Sequence, residues 1–515
     1  MSLYKNFTGD TLAQVQALTS GDAFKAGIST STGLTAYNLE ATAKILVPLF
    51  SPLRKEIPRV TPPGNLAGLA PHWKQLTSFN SQTIRPYVSE GKRGSTITYT
   101  EADKTAPYVT LGLENNATFE AESAAIGFDN VDDLATLGLL NQFFSEEEKV
   151  IIGGNGSANA GSALGQTGTP VVTVEASGGS LTASTTYYVG VVALTYDGWL
   201  FATQQGSVPQ SVSQANAGPA GGSTAFNGGS AIISPVANGG ATSGGSNSIV
   251  ATVAALKGAV GYAWFVSTDA STTSHQYLYA VTTINSVNIT GPGVNTAQDF
   301  ALLNSTNDYS QNALSYDGII SQTFQGGYYY QMPTGTVGVG GAGTGLTPAV
   351  TGSGVGIQEI NTALNYFWTN FNSGIDEILV NSQELVNITN KILAVQGASA
   401  LIRFNYSPEQ IMAGTIVGGA VVGSYLNPFA MNGPVMIPIK LHPYIPAGTI
   451  ILRPIKVPYQ ITNVGTILRI NARKDYYQLV WPLTQRQREW GQYNETVLQN
   501  YAPFMFGLIT NIANK

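Results

Sequence analysis

Hydrophobic positions recur with distinct periods along this chain, and the changes of period mark its elements. From Asn130 the spacing is helical: Val131, Leu134, Leu137, Leu140 and Phe144 are three or four residues apart. Asn130 stands at the cap position, and Asp132 and Asp133 complement the positive end of the helix dipole. Val150-Ile151-Ile152 and the breaker Gly153-Gly154-Asn155-Gly156 close the segment. A long helix is expected over 130–152 with that face in the core, and Glu146-Glu147-Glu148 reads as its solvated end.

Before this helix the period is that of strands. Ser95-Thr96-Ile97-Thr98-Tyr99-Thr100 and Tyr108-Val109-Thr110-Leu111-Gly112-Leu113 alternate as the two arms of a hairpin within 84–119. Glu90, Lys92, Arg93, Glu101, Asp103 and Lys104 make it one of the few charge-dense stretches; a solvated hairpin tip and a contact with a neighbouring chain are the two readings. The first seventy or so residues hold a short amphipathic pattern from Thr11 to Leu18 and then prolines at 48, 52, 58, 62 and 63. These prolines break any long helix or central strand, although Ile45, Leu46, Val47, Leu49 and Phe50 need burial. Such a segment either wraps its own surface or is an arm laid on a neighbour.

Past Gly153 the texture changes. Between Gly153 and Phe300 the only charged residues are Glu175, Asp197, Lys257, Asp269 and Asp299. Strand-like runs at 186–194, 261–266 and 277–281, with a turn at Asp197-Gly198, suggest an all-β sandwich. The Gly- and Ser-rich 217–247 reads as a long loop or disordered tip. Helical spacing returns with Ile357, Ile360, Leu364, Phe367, Trp368 and Phe371. After the short run Ile378-Leu379-Val380, Ser382 is positioned to cap a second helix carrying Leu385, Ile388 and Ile392, with Gly397 at its end. The remainder is strand-rich with frequent Pro, including Tyr476 to Trp481.

Composition narrows the function classes. Of 515 residues, 43% are hydrophobic and only 10% charged, with 58 Gly and a net charge of -6. That hydrophobic share sustains real cores, and so little charge suits a surface that ends up buried against other chains. A net acidic chain lacks the footprint of a dedicated DNA reader. Zero cysteines exclude disulfides, thiolate metal sites and thiol catalysis. The opening residues do not read as an export signal. The longest weakly polar run, Thr415 to Leu426, falls short of the roughly 20 residues of a membrane span, so no membrane partner is expected.

Catalytic chemistry finds no foothold. The histidines, His72, His275 and His442, lie in different segments and read as incidental, and no nucleophile elbow, Walker motif or metal-ligand spacing occurs. Gly338, Gly340 and Gly343 formally match G-x-G-x-x-G, but no helix pattern follows them to supply a phosphate-binding N-terminus. No enzyme activity, cofactor or metal is expected.

The order of elements resembles the major capsid proteins of tailed bacteriophages, the Hong Kong 97 type. It runs from a Pro-rich arm through a charged excursion and a long helix ending in Glu147-Glu148-Lys149-Val150-Ile151-Ile152-Gly153-Gly154-Asn155-Gly156 to an α/β region. Asp376 to Ser382 resembles that family's strand-to-helix step, Pro446-Ala447-Gly448-Thr449-Ile450 its turn before a strand, and Leu498 to Ile512 its closing peripheral strand. The departure is the β block, whose Tyr-Tyr-Val-x-Val and Tyr-x-Trp-Phe-Val phrases look like an immunoglobulin or fibronectin type III domain.

The resemblance implies an α+β Hong Kong 97-type fold divided as N-terminal arm 1–70, extended loop region 71–119, spine helix of the peripheral domain 120–167, immunoglobulin-like insertion 168–300, axial domain and return 301–475, and peripheral strands 476–515. It further implies a shell subunit that forms hexamers and pentamers with itself. Such a subunit meets a portal and scaffolding or decoration proteins, encloses DNA without reading its sequence, and resides in the virion after assembly in the host cytoplasm. Glu90, Lys92, Arg93, Glu101, Asp103 and Lys104 would then be inter-subunit residues of the extended loop. Some relatives cross-link through Lys and Asn; no partner Asn matches by motif, so none is expected of Lys92 or Lys104. The alternative is a carbohydrate-binding or adhesive surface protein, which explains the β block but not the long helix.

Overall fold

The computed structural model describes residues 49–62, 68–78, 85–96, 100–125, 130–156, 163–216, 221–270, 275–293, 297–334, 343–349, 356–396, 423–429, 434–456 and 464–514. The expected helix at Thr11–Leu18, the arm as far as Pro48 and the stop at Gly397 lie outside them.

The first elements are α1 (Pro52–Glu56), β1 (Arg59–Val60), β2 (His72–Ser78), β3 (Thr100–Thr105), β4 (Val109–Thr118), α2 (Phe119–Ala125) and α3 (Val131–Gly153). The 23 residues of α3 make a rod of about 35 Å. Asn130 caps it as expected, its side chain accepting the Asp133 amide at 3.4 Å. The buried face differs from the expected one. Leu139, Phe143, Glu147 and Ile151 form one row at i, i+4, with Glu148 and Ile152 beside it. Leu137 is exposed, and Val131, Leu134, Leu140 and Phe144 are only partly covered. The helix is apolar on two sides, and its last turns are buried although they carry carboxylates. Glu147 and Glu148 are 1% and 0% exposed, so the reading of a solvated end is wrong.

The block that follows contains β5 (Val171–Glu175), β6 (Thr186–Leu194), α4 (Tyr196–Gln205), β7 (Val212–Ala215), β8 (Ser223–Phe226), β9 (Ala237–Ala241), β10 (Ser248–Thr252), β11 (Gly261–Ser267), β12 (Tyr277–Thr282) and β13 (Ser286–Ile289). Two sheets, ordered β13-β10-β5 and β12-β11-β6-β9, share one core that includes Trp264, Tyr187 and Phe265. β6 and β11 read as nearly unbroken apolar runs because both of their faces are covered. The expected turn at Asp197-Gly198 is instead the start of α4, where the Thr195 side chain takes the cap position. The expected loop at 217–247 holds β8 and β9 within its described part and buries Ser230, Ala231, Ile233 and Ser234. Small residues there pack closely: the amides of Gly228 and Gly229 both donate to the Tyr309 carbonyl, at 2.6 and 2.9 Å.

Last come α5 (Ile319–Gly326), β14 (Tyr328–Gln331), α6 (Gln358–Phe371), β15 (Glu377–Val380), α7 (Ser382–Gln396), β16 (Ser424–Asn427), β17 (Val435–Leu441), β18 (Ile450–Arg453), β19 (Leu468–Val480), β20 (Gln487–Asn500) and β21 (Gly507–Thr510). α7 is capped by Asn381, whose side chain accepts the Gln383 amide at 3.1 Å, and not by Ser382. Leu498 to Ile512 is not one strand. β20 ends at Asn500, and β21 joins a different sheet after the turn at Pro503–Met505.

Two sheets organise the body. One, β1-β19-β20-β4, is built on the long antiparallel pair β19/β20, with α3 lying against β4 and β20. The other is six-stranded, β14-β21-β18-β15-β17-β16. Strand alternation divides its central residues between two cores. Ile378, Val380, Ile450, Leu452 and Ile509 face α6 and α7, while Leu379, Ile451 and Leu508 join a core with Leu53, Ile57, Ile151, Ile320 and Leu468. That second core runs continuously from one sheet to the other.

Candidate inter-subunit surface

The hairpin forms with a different pairing from the one the alternation suggests. β3 pairs with β2, His72 opposite Thr105, while β4 pairs along ten residues with β20, Val109 opposite Thr496 through Thr118 opposite Gln487. The long ladder takes β4. β2 is fixed at its root by the Trp73 indole and the Gln75 side-chain amide, each donating at 3.1 Å to the Asn500 carbonyl, and by the Leu76 amide donating to Tyr501 at 2.9 Å. Ser95 and Thr96 are described without strand pairing, and 97–99 lie outside the described residues.

Of the six charged residues expected at this surface, Glu90, Lys92 and Arg93 lie in the segment 85–96, every residue of which is exposed. A turn closes there, the Lys92 amide donating to Ser89 at 3.0 Å, with Gly91 at φ +73° where a side chain would be strained. Glu101, Asp103 and Lys104 lie on β3. Asp103 pairs with Lys74 across the ladder at 2.9 Å, and Lys104 is partly covered beside Trp73 in a cavity of about 300 Å³. The structure thus separates the six into a tip triplet and a root triplet. Tyr87 and Val88, 85% and 51% exposed, give the tip an apolar side that charge counting missed. The apolar run Pro86-Tyr87-Val88 just before the charges was the available signal.

Below the hairpin a strap of residues 51–60 joins the two sheets. Glu148 of α3 accepts the amides of Leu53 and Arg54 at 2.8 Å each, capping the N-terminus of α1 where Ser51 supplies no side-chain bond. His442 completes this carboxylate's partners. Its Nδ1 accepts the Tyr444 amide at 3.3 Å, so Nε2 carries the hydrogen that faces Glu148 at 2.9 Å. His442 is therefore a buried structural partner and not incidental. Glu147 accepts from Arg59 at 2.9 Å, from Asn494 at 2.8 Å and from the Tyr476 hydroxyl, whose pKa burial and the neighbouring Glu147 raise. At the other end of α1, Glu56 meets Arg453 at 3.2 Å and Lys440 at 3.4 Å, and both cations also pair with the buried Glu377. Glu147 in the i, i+4 row of α3, with Glu148 beside it, was the sequence signal for this strap, lost because Glu was assigned to the surface.

A second exposed feature lies at the turn between β19 and β20. Val480, Trp481, Leu483 and Trp490 line a groove of about 380 Å³ with Asp132 and Arg488. Arg488 pairs with Asp132 at 2.8 Å and Glu122 at 3.3 Å, and Arg486 with Glu120 at 2.7 Å. The Trp490 Nε1 and Asp132 Oδ1 are buried without hydrogen-bond partners.

Among the described residues no three His, Asp or Glu side chains stand together as metal ligands, and no helix is long and apolar enough to cross a membrane. His72 is exposed on β2, and His275 meets Asp269 at 3.2 Å. Gly343 is described, at φ +89°; Gly338 and Gly340 lie outside the described residues.

No family model matches the sequence, and no curated protein matches it either. Among solved structures, the chain is similar to the capsid of a native GTA particle at 9% identity and TM-score 0.36, covering 95% of this chain and 100% of that one. The capsid of Myoviridae phage XM1 gives 9% identity and TM-score 0.36, again over 95% and 100%. Mycobacterium phage Bobi gives 9% and 0.37, over 94% of this chain and 99% of that one.

Proposed function

We propose that this chain is the major capsid protein of a tailed bacteriophage with the Hong Kong 97-type fold. In this reading it is a non-enzymatic subunit that forms hexamers and pentamers of an icosahedral shell around double-stranded DNA. The observation that carries this is the hairpin of β2 and β3. It is rooted on Asn500 and Tyr501 by hydrogen bonds from Trp73, Gln75 and Leu76, and it ends in a fully exposed segment with apolar Tyr87 and Val88 at its tip. A two-stranded ribbon is marginal alone in water, and an exposed apolar tip marks a contact with another molecule. A long helix on a four-stranded sheet, joined through one core to a six-stranded sheet, supports the division into peripheral and axial parts. The block of seven strands in two sheets around Trp264 is read as an immunoglobulin-like insertion.

The adhesive alternative accounts for the β block but for neither the hairpin nor the helix. Negative-stain electron microscopy of the chain expressed alone tests the choice: closed shells or capsomer rings are expected, and a uniform small oligomer would favour the alternative.

A further inference from the structure

In an Asn-Gly pair no side chain shields the glycine nitrogen from the asparagine Cγ, so the backbone is able to attack its own side chain. Such pairs stand at 155, 227, 238 and 432 of this chain. The last lies outside the described residues, and the fold treats the other three differently.

Asn155 is 6% exposed, its Nδ2 donates to the Ser310 carbonyl at 3.1 Å, and a Cβ on Gly156 would stand 2.3 Å from the Ser315 carbonyl oxygen. Packing this close leaves no room for a ring to form. Asn227 is exposed, but its attacking nitrogen would be that of Gly228, which is buried and donates its hydrogen to the Tyr309 carbonyl at 2.6 Å. Asn238 is placed otherwise. It is exposed together with Gly239 and Gly240 on β9, the edge strand of the sheet β12-β11-β6-β9. The ladder with β6 passes from Asn238 opposite Tyr188 to Ala241 opposite Thr186, so Gly239 and Gly240 form a bulge facing Tyr187 alone. Inside the bulge the Gly240 amide donates to Asn238 Oδ1 at 3.2 Å, with Gly240 at φ +94°. That donor draws electrons from Cγ and sits where negative charge develops when Cγ is attacked.

We infer that Asn238 is a self-modification site, converted in the folded chain to aspartate and isoaspartate through a cyclic imide. Hydroxide takes the Gly239 amide proton, and the nitrogen forms a bond to Asn238 Cγ. The Cγ–Nδ2 bond breaks, and the nitrogen leaves as ammonia with a proton from water. Water then opens the imide: at Cγ it gives aspartate, and at the backbone carbonyl it gives isoaspartate, whose main chain runs through the former side chain. The reaction needs only water and hydroxide, whatever the chain assembles with. Either product adds a carboxylate to a block that holds few charges. Isoaspartate also inserts a methylene into a strand so close to the other sheet that a Cβ on Gly239 would stand 2.7 Å from the Val172 carbonyl oxygen. β9 is thereby pushed off its seat.

The test incubates the full chain, folded, at about pH 8, then digests it and follows the three peptides by mass spectrometry, with an isoaspartate-specific methyltransferase as a second readout. In the folded chain Asn238 is expected to convert at least about tenfold faster than Asn155 or Asn227. In urea the three rates should converge, because the dipeptide is the same at each site. Asn238→Gln should abolish the conversion in that peptide. Hydrogen exchange at 237–241 should rise in the isoaspartate product and stay near the parent level in Asn238→Asp, which keeps the ordinary backbone. Conversion at Asn238 no faster than at the other two sites in the folded chain, or conversion there only after unfolding, would overturn the proposal.

Discussion

Glu148 and Leu53 stand 95 residues apart, and the carboxylate of the first accepts the backbone N–H of the second at 2.8 Å. The Arg54 amide and the His442 ring share the same buried carboxylate. One side chain therefore ties the end of α3 to the start of α1 and to the strand turn after β17. Glu148→Ala would leave buried donors without an acceptor, and a loss of about 3–5 kcal/mol is expected. Urea titration should register it, against a change within about 0.5 kcal/mol for the exposed Glu120→Ala.

The β block is firmly attached to the body. A domain inserted in a loop can be replaced by a short linker when few contacts cross its boundary. Yet Tyr196 reaches out of it to donate to the Tyr444 carbonyl at 2.7 Å, and its ring lies where a Cβ on Gly153 would stand 2.1 Å away. The Asn285 amide donates to Asn511 at 2.8 Å, and Val260 and Trp199 pack on the body core. Replacing residues 168–300 with a Gly-Ser linker is expected to uncover this apolar seat and give aggregated protein. Soluble, correctly assembling material from that deletion would contradict the docked arrangement. On a smaller scale, Gly153→Ala should cost about 1–3 kcal/mol, partly recovered when combined with Tyr196→Ala.

Much of this fold was legible because period and punctuation agree: α3 with its Asn130 cap, α6, the strand at 377–380 and the two-sheet block all follow from spacing. What was not legible shares one cause. Whether Glu147 is solvated or buried depends on Arg59, Asn494 and Tyr476, which the chain brings from 88 or more residues away. Likewise β4 has two possible partners by local pattern, and β20, supplied from the far end of the chain, takes it. At the hairpin the charges were visible, but not their division, which follows from the Trp73 and Gln75 anchors.

Glu384 gives a pH signature. It is fully buried on α7, accepts the Gly448 amide at 2.9 Å, and burial pushes its carboxyl up to about 6. Because the folded value lies above the unfolded one, its favourable contribution is complete below about pH 4.5 and lost as pH rises through 6. Glu384→Gln keeps an acceptor for Gly448 without the charge. It should be more stable than the parent at pH 7, by about 2 kcal/mol, and gain nothing at pH 4. Denaturant midpoints of the two proteins at both pH values check the sign.

The charges at the hairpin are expected to set register between subunits more than raw affinity. Reversing Lys92, Arg93 and Lys104 to Glu should leave a soluble, folded subunit that closes no shells, or shells that fall apart easily. Loss of about 1.4 kcal/mol at each repeated contact already weakens it tenfold. Normal particles of unchanged stability would mean that these charges are merely solvated.

Cryo-electron microscopy of the assembled wild-type chain addresses the central claim most directly, since it locates each subunit and its hairpin together. The account predicts rings of five and six subunits in a closed shell, with each 85–96 segment seated on an adjacent copy. A monomer or small oligomer at every concentration and with every co-expressed partner, its hairpin tips in solvent, would contradict it.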